Sequence, residues 1–140
     1  MTNIGRLPAF QLDPRKLDPT GVGAKLRATV VDRLLTAQEA LPDGIRFLII
    51  EGYRRPALQQ RYFDEHRADV ARMHPEWGPE RLIHETSKHV APPAVAAHPC
   101  GAAVDLTLVR DGLELDLGTP VNATPEDSDH ACFTAAENIT

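Results

Sequence analysis

The spacing of apolar residues divides the first half of the chain into three elements. Over residues 22–41, apolar residues recur at helical intervals with charged residues between them, which predicts an amphipathic helix ending at Pro42. Residues 46–53 form a continuous apolar run rich in branched side chains, typical of a buried central strand. Pro56 can occupy the first position of a second helix, whose apolar stripe ends before His74. The predicted order is therefore helix, strand, helix.

The second half contains a shorter helix and a β-hairpin. Pro79 can begin the third helix, and an apolar run over residues 102–109 predicts a further strand. The pair Asp111-Gly112 separates that strand from residues 113–118, in which apolar and acidic residues alternate. An Asp-Gly pair between two such runs is a strong signal for a two-residue hairpin turn.

These elements define one domain with less regular ends. Residues 1–20 are expected to form an irregular arm, and residues 21–118 the core of the domain. Residues 119–140 form a polar tail with little periodicity, which is typical of a loop. Loops of this length are uncommon inside a compact domain. We therefore expect that a C-terminal strand or helix is missing from the chain.

Composition narrows the class of protein. The 140 residues are 42% hydrophobic and 25% charged, which is ordinary for a soluble globular domain with a single core. A net charge of −5 argues against a nucleic-acid partner. No run approaches the roughly 18 apolar residues of a membrane span, and the N-terminus lacks a signal-peptide pattern. Two cysteines are too few for a disulfide framework. A cytoplasmic protein without a membrane partner is predicted.

The segment from His98 to Asp105 carries the most informative chemistry. An imidazole and a carboxylate, both zinc-ligand types, lie seven residues apart, and Pro99 with Gly101 can fold the chain so that they meet. A carboxylate in an apolar strand is costly unless it is paired with a metal, a buried arginine or backbone donors. Two sets of side chains alternate along this strand: Val104, Leu106 and Leu108 on the expected core face, and Ala103, Asp105 and Thr107 on the other. The alternative is that Asp105 caps a neighbouring loop while His98 lies on the surface.

Other candidate residues are less specific. Arg54 and Arg55 follow the central strand, where a guanidinium can bind a carboxylate or stabilise developing negative charge. Either could instead be solvated, or one could pair with Glu51. His130 lies in an acidic stretch of the tail and could reach a metal, although a solvated loop is the simpler interpretation. Cys100 is expected to be a small buried thiol beside the site.

Three segments together resemble a known family: Glu51-Gly52-Tyr53-Arg54, the stretch from His98 to Leu108, and Leu115-Asp116-Leu117-Gly118-Thr119. Their order and spacing, over roughly residues 45–120, resemble the VanX-type D-alanyl-D-alanine dipeptidases. The resemblance implies an α+β fold, with a small, mainly antiparallel sheet and helices on one side. It also implies zinc-dependent hydrolysis of a D,D-dipeptide, with His98 and Asp105 as two ligands of one zinc ion. Arg54 then matches the arginine that stabilises the tetrahedral intermediate.

The chain departs from the family pattern in three ways. Ala96 stands where the motif has serine, and Arg55 is inserted between Arg54 and Pro56. The family's Glu-x-x-His, which supplies the general base and the third zinc ligand, does not occur after Asp105. We therefore expect this chain to carry only part of an active site and to self-associate or bind a complementing chain. The alternative is a catalytically inactive remnant or peptide-binding module of the same fold.

Overall fold

A four-stranded mixed sheet forms the centre of the molecule. The computed structural model describes residues 1–16, 19–119, 123–131 and 135–138. Six strands occur in these ranges: β1 (Thr2–Asn3), β2 (Gln11–Leu12), β3 (Lys25–Leu26), β4 (Ile45–Glu51), β5 (Asp105–Arg110) and β6 (Leu113–Glu114). The central sheet has the order β2-β4-β5-β6, in which β2 is parallel to β4 and the other pairs are antiparallel. β1 and β3 form a separate antiparallel pair.

Three α-helices accompany the sheets in the part of the chain that the structure describes, so the fold is α+β. They are α1 (Ala28–Glu39), α2 (Pro56–Met73) and α3 (Pro79–Ser87). α2 and α3 begin with proline at the first turn, as predicted, because a proline there has no backbone N–H to leave unsatisfied. Among the described residues, no helix is long and apolar enough to cross a membrane.

The first helix begins later than the sequence pattern predicts. Residues Val22–Ala24 form a short 3-10 turn and β3 follows, so that regular α-helix starts only at Ala28. Leu26 fits the helical periodicity, but it is fully buried as part of a strand that pairs with Thr2–Asn3. Apolar spacing alone cannot separate these two outcomes over so few residues.

The N-terminal residues are more ordered than the expected irregular arm. They contribute β1 and β2, and the side chains of Ile4 and Phe10 are only 0% and 8% exposed. Both side chains belong to the hydrophobic core. Strands of two residues leave no period in a sequence, which is why the pattern did not indicate them.

The core lies between α1 and one face of the sheet. Val31 and Leu34 of α1 pack with Phe47 and Ile49 of β4. Three partly buried residues pack against this cluster and confirm the predicted core face of the β5 segment: Val104, Leu106 and Leu108. Thr107 and Val109 on the opposite face are also buried, so that face is not an open surface along its whole length.

The predicted hairpin joins β5 to β6. Arg110 pairs with Leu113, and the two turn residues Asp111 and Gly112 have φ angles of 52° and 80°. Positive φ at both positions is the requirement of a type I′ turn, which Asp-Gly satisfies. The second strand is shorter than the predicted 113–118, because the Asp116 side chain accepts a hydrogen bond from the Gly118 N–H and the chain turns away.

The predicted polar tail is described in part. Residues 120–122, 132–134 and 139–140 lie outside the described ranges. Within 123–131 the backbone forms turns, in which Thr124 and Asp127 exchange hydrogen bonds between side chain and backbone.

Candidate metal and peptide site

A tight turn brings His98 to the start of β5. His98–Cys100 form a 3-10 turn, which ends at Gly101 with a left-handed φ of 65°. The Gly101 N–H donates to the His98 carbonyl at 2.9 Å, which closes the turn. A left-handed conformation costs glycine little, so this residue type suits the reversal. The result places His98 Nε2 at 3.2 Å from Asp105 Oδ1.

Gly52 fixes the orientation of the imidazole. His98 Nδ1 lies 2.7 Å from the Gly52 carbonyl oxygen. Since a carbonyl can only accept, Nδ1 carries the proton and Nε2 faces Asp105. The Gly52 N–H donates in turn to the Gly23 carbonyl at 2.8 Å. A Cβ on Gly52 would lie 2.9 Å from the carbonyl oxygens of both Gly23 and Lys25, so the close approach of these backbones requires glycine here.

The side chain of Arg54 is 10% exposed and lies in a dense polar network. Its Nε and Nη2 each donate to a Glu51 carboxylate oxygen at 2.7 Å, a bidentate arrangement. Nη1 donates to Gln59 Oε1 at 2.8 Å, and the guanidinium lies 5.0 Å from the centre of the Tyr62 ring. Nη2 is also 3.8 Å from Asp105 Oδ2. Pairing of an arginine with Glu51, left open by the sequence, is thus found at Arg54.

The two adjacent arginines point to different partners. Arg55 Nη2 donates to the Thr20 hydroxyl at 3.0 Å on the exposed surface. Arg54, and not Arg55, therefore reaches the carboxylates of Glu51 and Asp105.

Lys16 is a member of the cluster that sequence reasoning missed. It ends the short 3-10 helix Pro14–Lys16, and its Nζ lies 3.2 Å from Glu51 Oε2 and 3.4 Å from Asp105 Oδ2. Lys16 is 89 positions from Asp105 in sequence. No local signal links the two residues, because the contact depends on the two-residue strand β2 lying beside β4.

The charges in this cluster shift one another's protonation. Burial alone would raise the pKa of Glu51, but hydrogen bonds and charge from Arg54 and Lys16 outweigh it and lower the pKa. Burial opposes protonation of His98, yet its bonds to Asp105 and to the Gly52 carbonyl raise the pKa of the imidazole. Burial likewise acts to raise the pKa of Asp105, and His98, Lys16 and Arg54 together lower it. In each of these three residues the neighbouring charges and hydrogen bonds therefore favour the charged form of the side chain.

His98 and Asp105 fit two positions of a zinc site. A histidine that ligates zinc usually donates its other ring N–H to a carboxylate or a backbone carbonyl, as Nδ1 of His98 does toward Gly52. A catalytic zinc ion has three protein ligands. Among residues 1–16, 19–119, 123–131 and 135–138, no group of three or more His, Cys, Asp or Glu side chains is placed to hold a metal. A third donor from the described residues is therefore not identified.

Two other residues considered from the sequence lie elsewhere. His130 lines a different cleft, together with His66, Glu85 and His89, and does not line the cavity that contains His98. Cys100 is an exposed free cysteine, so the expectation of a buried thiol is wrong. Pro99 and Gly101 place it on the outside of the turn whose first residue, His98, points inward.

A cavity of about 370 Å³ opens in front of the pair. Its polar wall consists of Lys16, Arg54, Gln59, Tyr62, His89, His98 and Asp105. Its apolar wall includes Val90, Ala91 and Ala96, and Ala96 is the position at which the resembling family has serine. No hydroxyl is therefore available at this point of the wall. The combination of a small apolar surface with convergent charged groups is typical of a small-molecule site.

This chain shows only limited similarity to known proteins. No family model matches the chain, and no curated protein matches it significantly. Among solved structures, the chain is similar to a point mutant of the vancomycin-resistance D,D-pentapeptidase VanY from a VanB-type resistance cassette, in complex with Zn(II). The two are 26% identical with a TM-score of 0.40, over 61% of this chain and 44% of that one. The chain thus spans less than half the length of that structure.

Proposed function

We propose that this protein is a zinc-dependent D,D-peptidase whose described residues form part of the active site. The observation that carries the proposal is the approach of His98 Nε2 to Asp105 Oδ1 at 3.2 Å, with Nδ1 held by a backbone carbonyl. The order of the motifs around Arg54, His98 and Asp105, which resembles that of the VanX-type dipeptidases, supports the same assignment.

The residues of the cluster divide into two roles in this proposal. His98 and Asp105 would hold the metal, which when bound polarises a carbonyl and lowers the pKa of water. Arg54 lines the same cavity and presents a fixed positive charge to it. Glu51 and Gln59 hold three of its N–H donors. A guanidinium fixed in this way can stabilise negative charge on a substrate carbonyl oxygen without reorganising.

The substrate that the cavity suits best is D-alanyl-D-alanine or a related D,D-dipeptide. The cavity volume of about 370 Å³ lies near the lower end of small-molecule sites, which suits a short peptide with small side chains. Val90, Ala91 and Ala96 provide an apolar wall against which methyl groups can pack.

A second candidate function is peptide binding without catalysis. Within the described residues no third metal donor accompanies His98 and Asp105. Glu51, the most buried carboxylate of the cluster, is occupied by Arg54 in a bidentate pair, so it is a poor general base. A catalytically inactive remnant of the fold would retain the cavity and its charges.

Zinc content and turnover separate the two candidates. The purified chain is analysed for bound zinc and assayed for release of D-alanine from D-Ala-D-Ala, with and without added zinc. A peptidase binds about one zinc per chain, and substitution His98→Asn abolishes both metal and turnover, whereas His84→Asn at an exposed position leaves both unchanged. Saturable dipeptide binding with neither zinc nor turnover would support the binding module instead.

A further inference from the structure

Lys16 occupies a special position among the charges of the cluster. Its Nζ is within 3.4 Å of two carboxylates, and its side chain is 30% exposed, compared with 10% for Arg54. It lines the cavity that holds His98 and Asp105 and also three neighbouring clefts. It is therefore the cation of the cluster that an incoming ligand can reach most directly.

The charge of Lys16 is only loosely compensated. Glu51 already has a bidentate partner in Arg54 at 2.7 Å, while its contact with Lys16 is longer, at 3.2 Å. The remaining carboxylate, Asp105, is a candidate metal ligand. If a metal engaged Asp105, Lys16 would keep only its contact with Glu51, a carboxylate that it shares with Arg54, and an anionic ligand in the cavity could supply the missing counter-charge.

The geometry of the ammonium group allows a further contact. An ammonium group has three N–H donors, and the described part of the chain provides two acceptors for Lys16, on Glu51 and Asp105. Because its stem is flexible, Lys16 can turn toward the cavity while Arg54 stays fixed by Glu51 and Gln59.

We infer that Lys16 binds the C-terminal carboxylate of the peptide ligand. This inference rests on the proposed function, and it names the feature by which the site recognises its substrate class: short peptides with a free carboxyl end. His98, Asp105 and Arg54 would then lie beside the scissile bond, and Lys16 would set the position of the peptide along the cavity. Lys16 is a positioning residue, and a ligand without the carboxylate gains nothing from it.

The test compares two ligands that cannot be hydrolysed. They are a reduced-amide isostere of D-Ala-D-Ala with a free carboxylate and the same compound as its C-terminal amide. Affinities are measured by calorimetry on the full chain in the presence of zinc. Wild type is expected to favour the free carboxylate by about tenfold, as for a charge-assisted pair. Lys16→Met reduces this preference below about twofold, and Lys16→Arg retains part of it.

Lys88→Met is the matched control. It removes the same charge from an exposed lysine that is paired with Glu85 in another cleft, and it leaves the preference unchanged. A preference that survives in Lys16→Met, or that is absent in wild type, overturns the inference. Zinc content and turnover, measured on the same samples, test the proposed function separately. If the chain binds zinc and turns over substrate but Lys16→Met keeps the preference for the free carboxylate, only the role of Lys16 is excluded. If Lys16→Met loses this preference but the chain binds no zinc, Lys16 keeps its role in a binding module.

Discussion

Two regions of this molecule are rich in ion pairs, and they differ in almost every other respect. On α2 and at the end of α3 the pairs join residues three or four positions apart: Arg67 with Asp64, Arg72 with Asp69, Lys88 with Glu85 and Arg61 with Glu65. In the cluster at the ends of β4 and β5, pairs connect segments up to 89 positions apart. The Arg54 and Glu51 side chains are 10% and 6% exposed, against 46% and 45% for Arg67 and Asp64.

The difference shows that burial and chain separation, rather than the number of pairs, mark the candidate site. An exposed pair gains little, because water screens the attraction and both side chains lose freedom. A buried charge whose partner is removed remains uncompensated in a poorly polarisable environment. The exposed helical pairs are therefore expected to contribute little to stability, whereas loss of one partner in the buried cluster is expected to be costly.

The largest effect is expected from Arg54→Met. It leaves Glu51 buried with only Lys16 as partner, and the free energy of unfolding should fall by about 3–5 kcal/mol in urea denaturation. Adding Glu51→Gln should recover much of this loss, because the uncompensated charge is then also gone. A loss below about 1 kcal/mol would place the cluster in the same class as the surface pairs.

The second-largest difference between the two regions is expected in zinc affinity. His98→Asn and Asp105→Asn should each weaken zinc binding by more than about 100-fold in chelator competition, since each removes a proposed ligand. His84→Asn, on the exposed side of α3, serves as the control and should leave the affinity unchanged. Equal zinc affinity in all three variants would exclude the His98–Asp105 pair as the metal site.

The pH dependence of the metal-free chain sharpens the comparison further. The pKa of His98 should lie above its ordinary value of about 6.5 in NMR titration, and Asp105→Asn should lower it. Because the folded-state pKa is raised, this contribution to stability is present below about pH 6.5 and is lost as pH rises through the folded value. Glu51 and Asp105 have lowered pKa values, so their contribution is present above about pH 4.5 and is lost on acidification through the folded values. An unshifted His98 would contradict the proposed pairing.

The smallest effect is expected at the helical pairs. Arg67→Met removes an exposed partner of Asp64, and the free energy of unfolding should change by about 0.5 kcal/mol or less. The same urea denaturation measures it beside Arg54→Met. If the two substitutions cost equal amounts, exposure would not be what separates the regions.

How much the sequence reveals depends on how local each feature is. The approach of His98 to Asp105 follows from a turn and a strand within eight consecutive residues, so the sequence could suggest it, beside the alternative of a surface-exposed His98. Pro56 and Pro79 likewise placed the starts of α2 and α3. The hairpin at Asp111-Gly112 was similarly local.

Features that depend on distant segments were not accessible in this way. Lys16 joins the cluster only because residues of the N-terminal segment run beside β4, and its two-residue strand has no detectable period. The early start predicted for α1 failed for the same reason, since Leu26 is buried by pairing with Thr2–Asn3. The sequence offered pairing of Glu51 with one of the two arginines as an alternative, but the bidentate contact with Arg54 depends on the three-dimensional arrangement of the two side chains.

The crowding around Gly52 has a consequence for how this site can change. The backbone of Gly52 packs directly against the carbonyl oxygens of Gly23 and Lys25. The carbonyl oxygen of Gly52 also binds His98 Nδ1 and so orients the imidazole ring. Any side chain introduced there would push the neighbouring backbone away and swing the ring off its carboxylate. Redesign of the ligand geometry must therefore begin from the loops around this glycine, because the glycine itself has no room to vary.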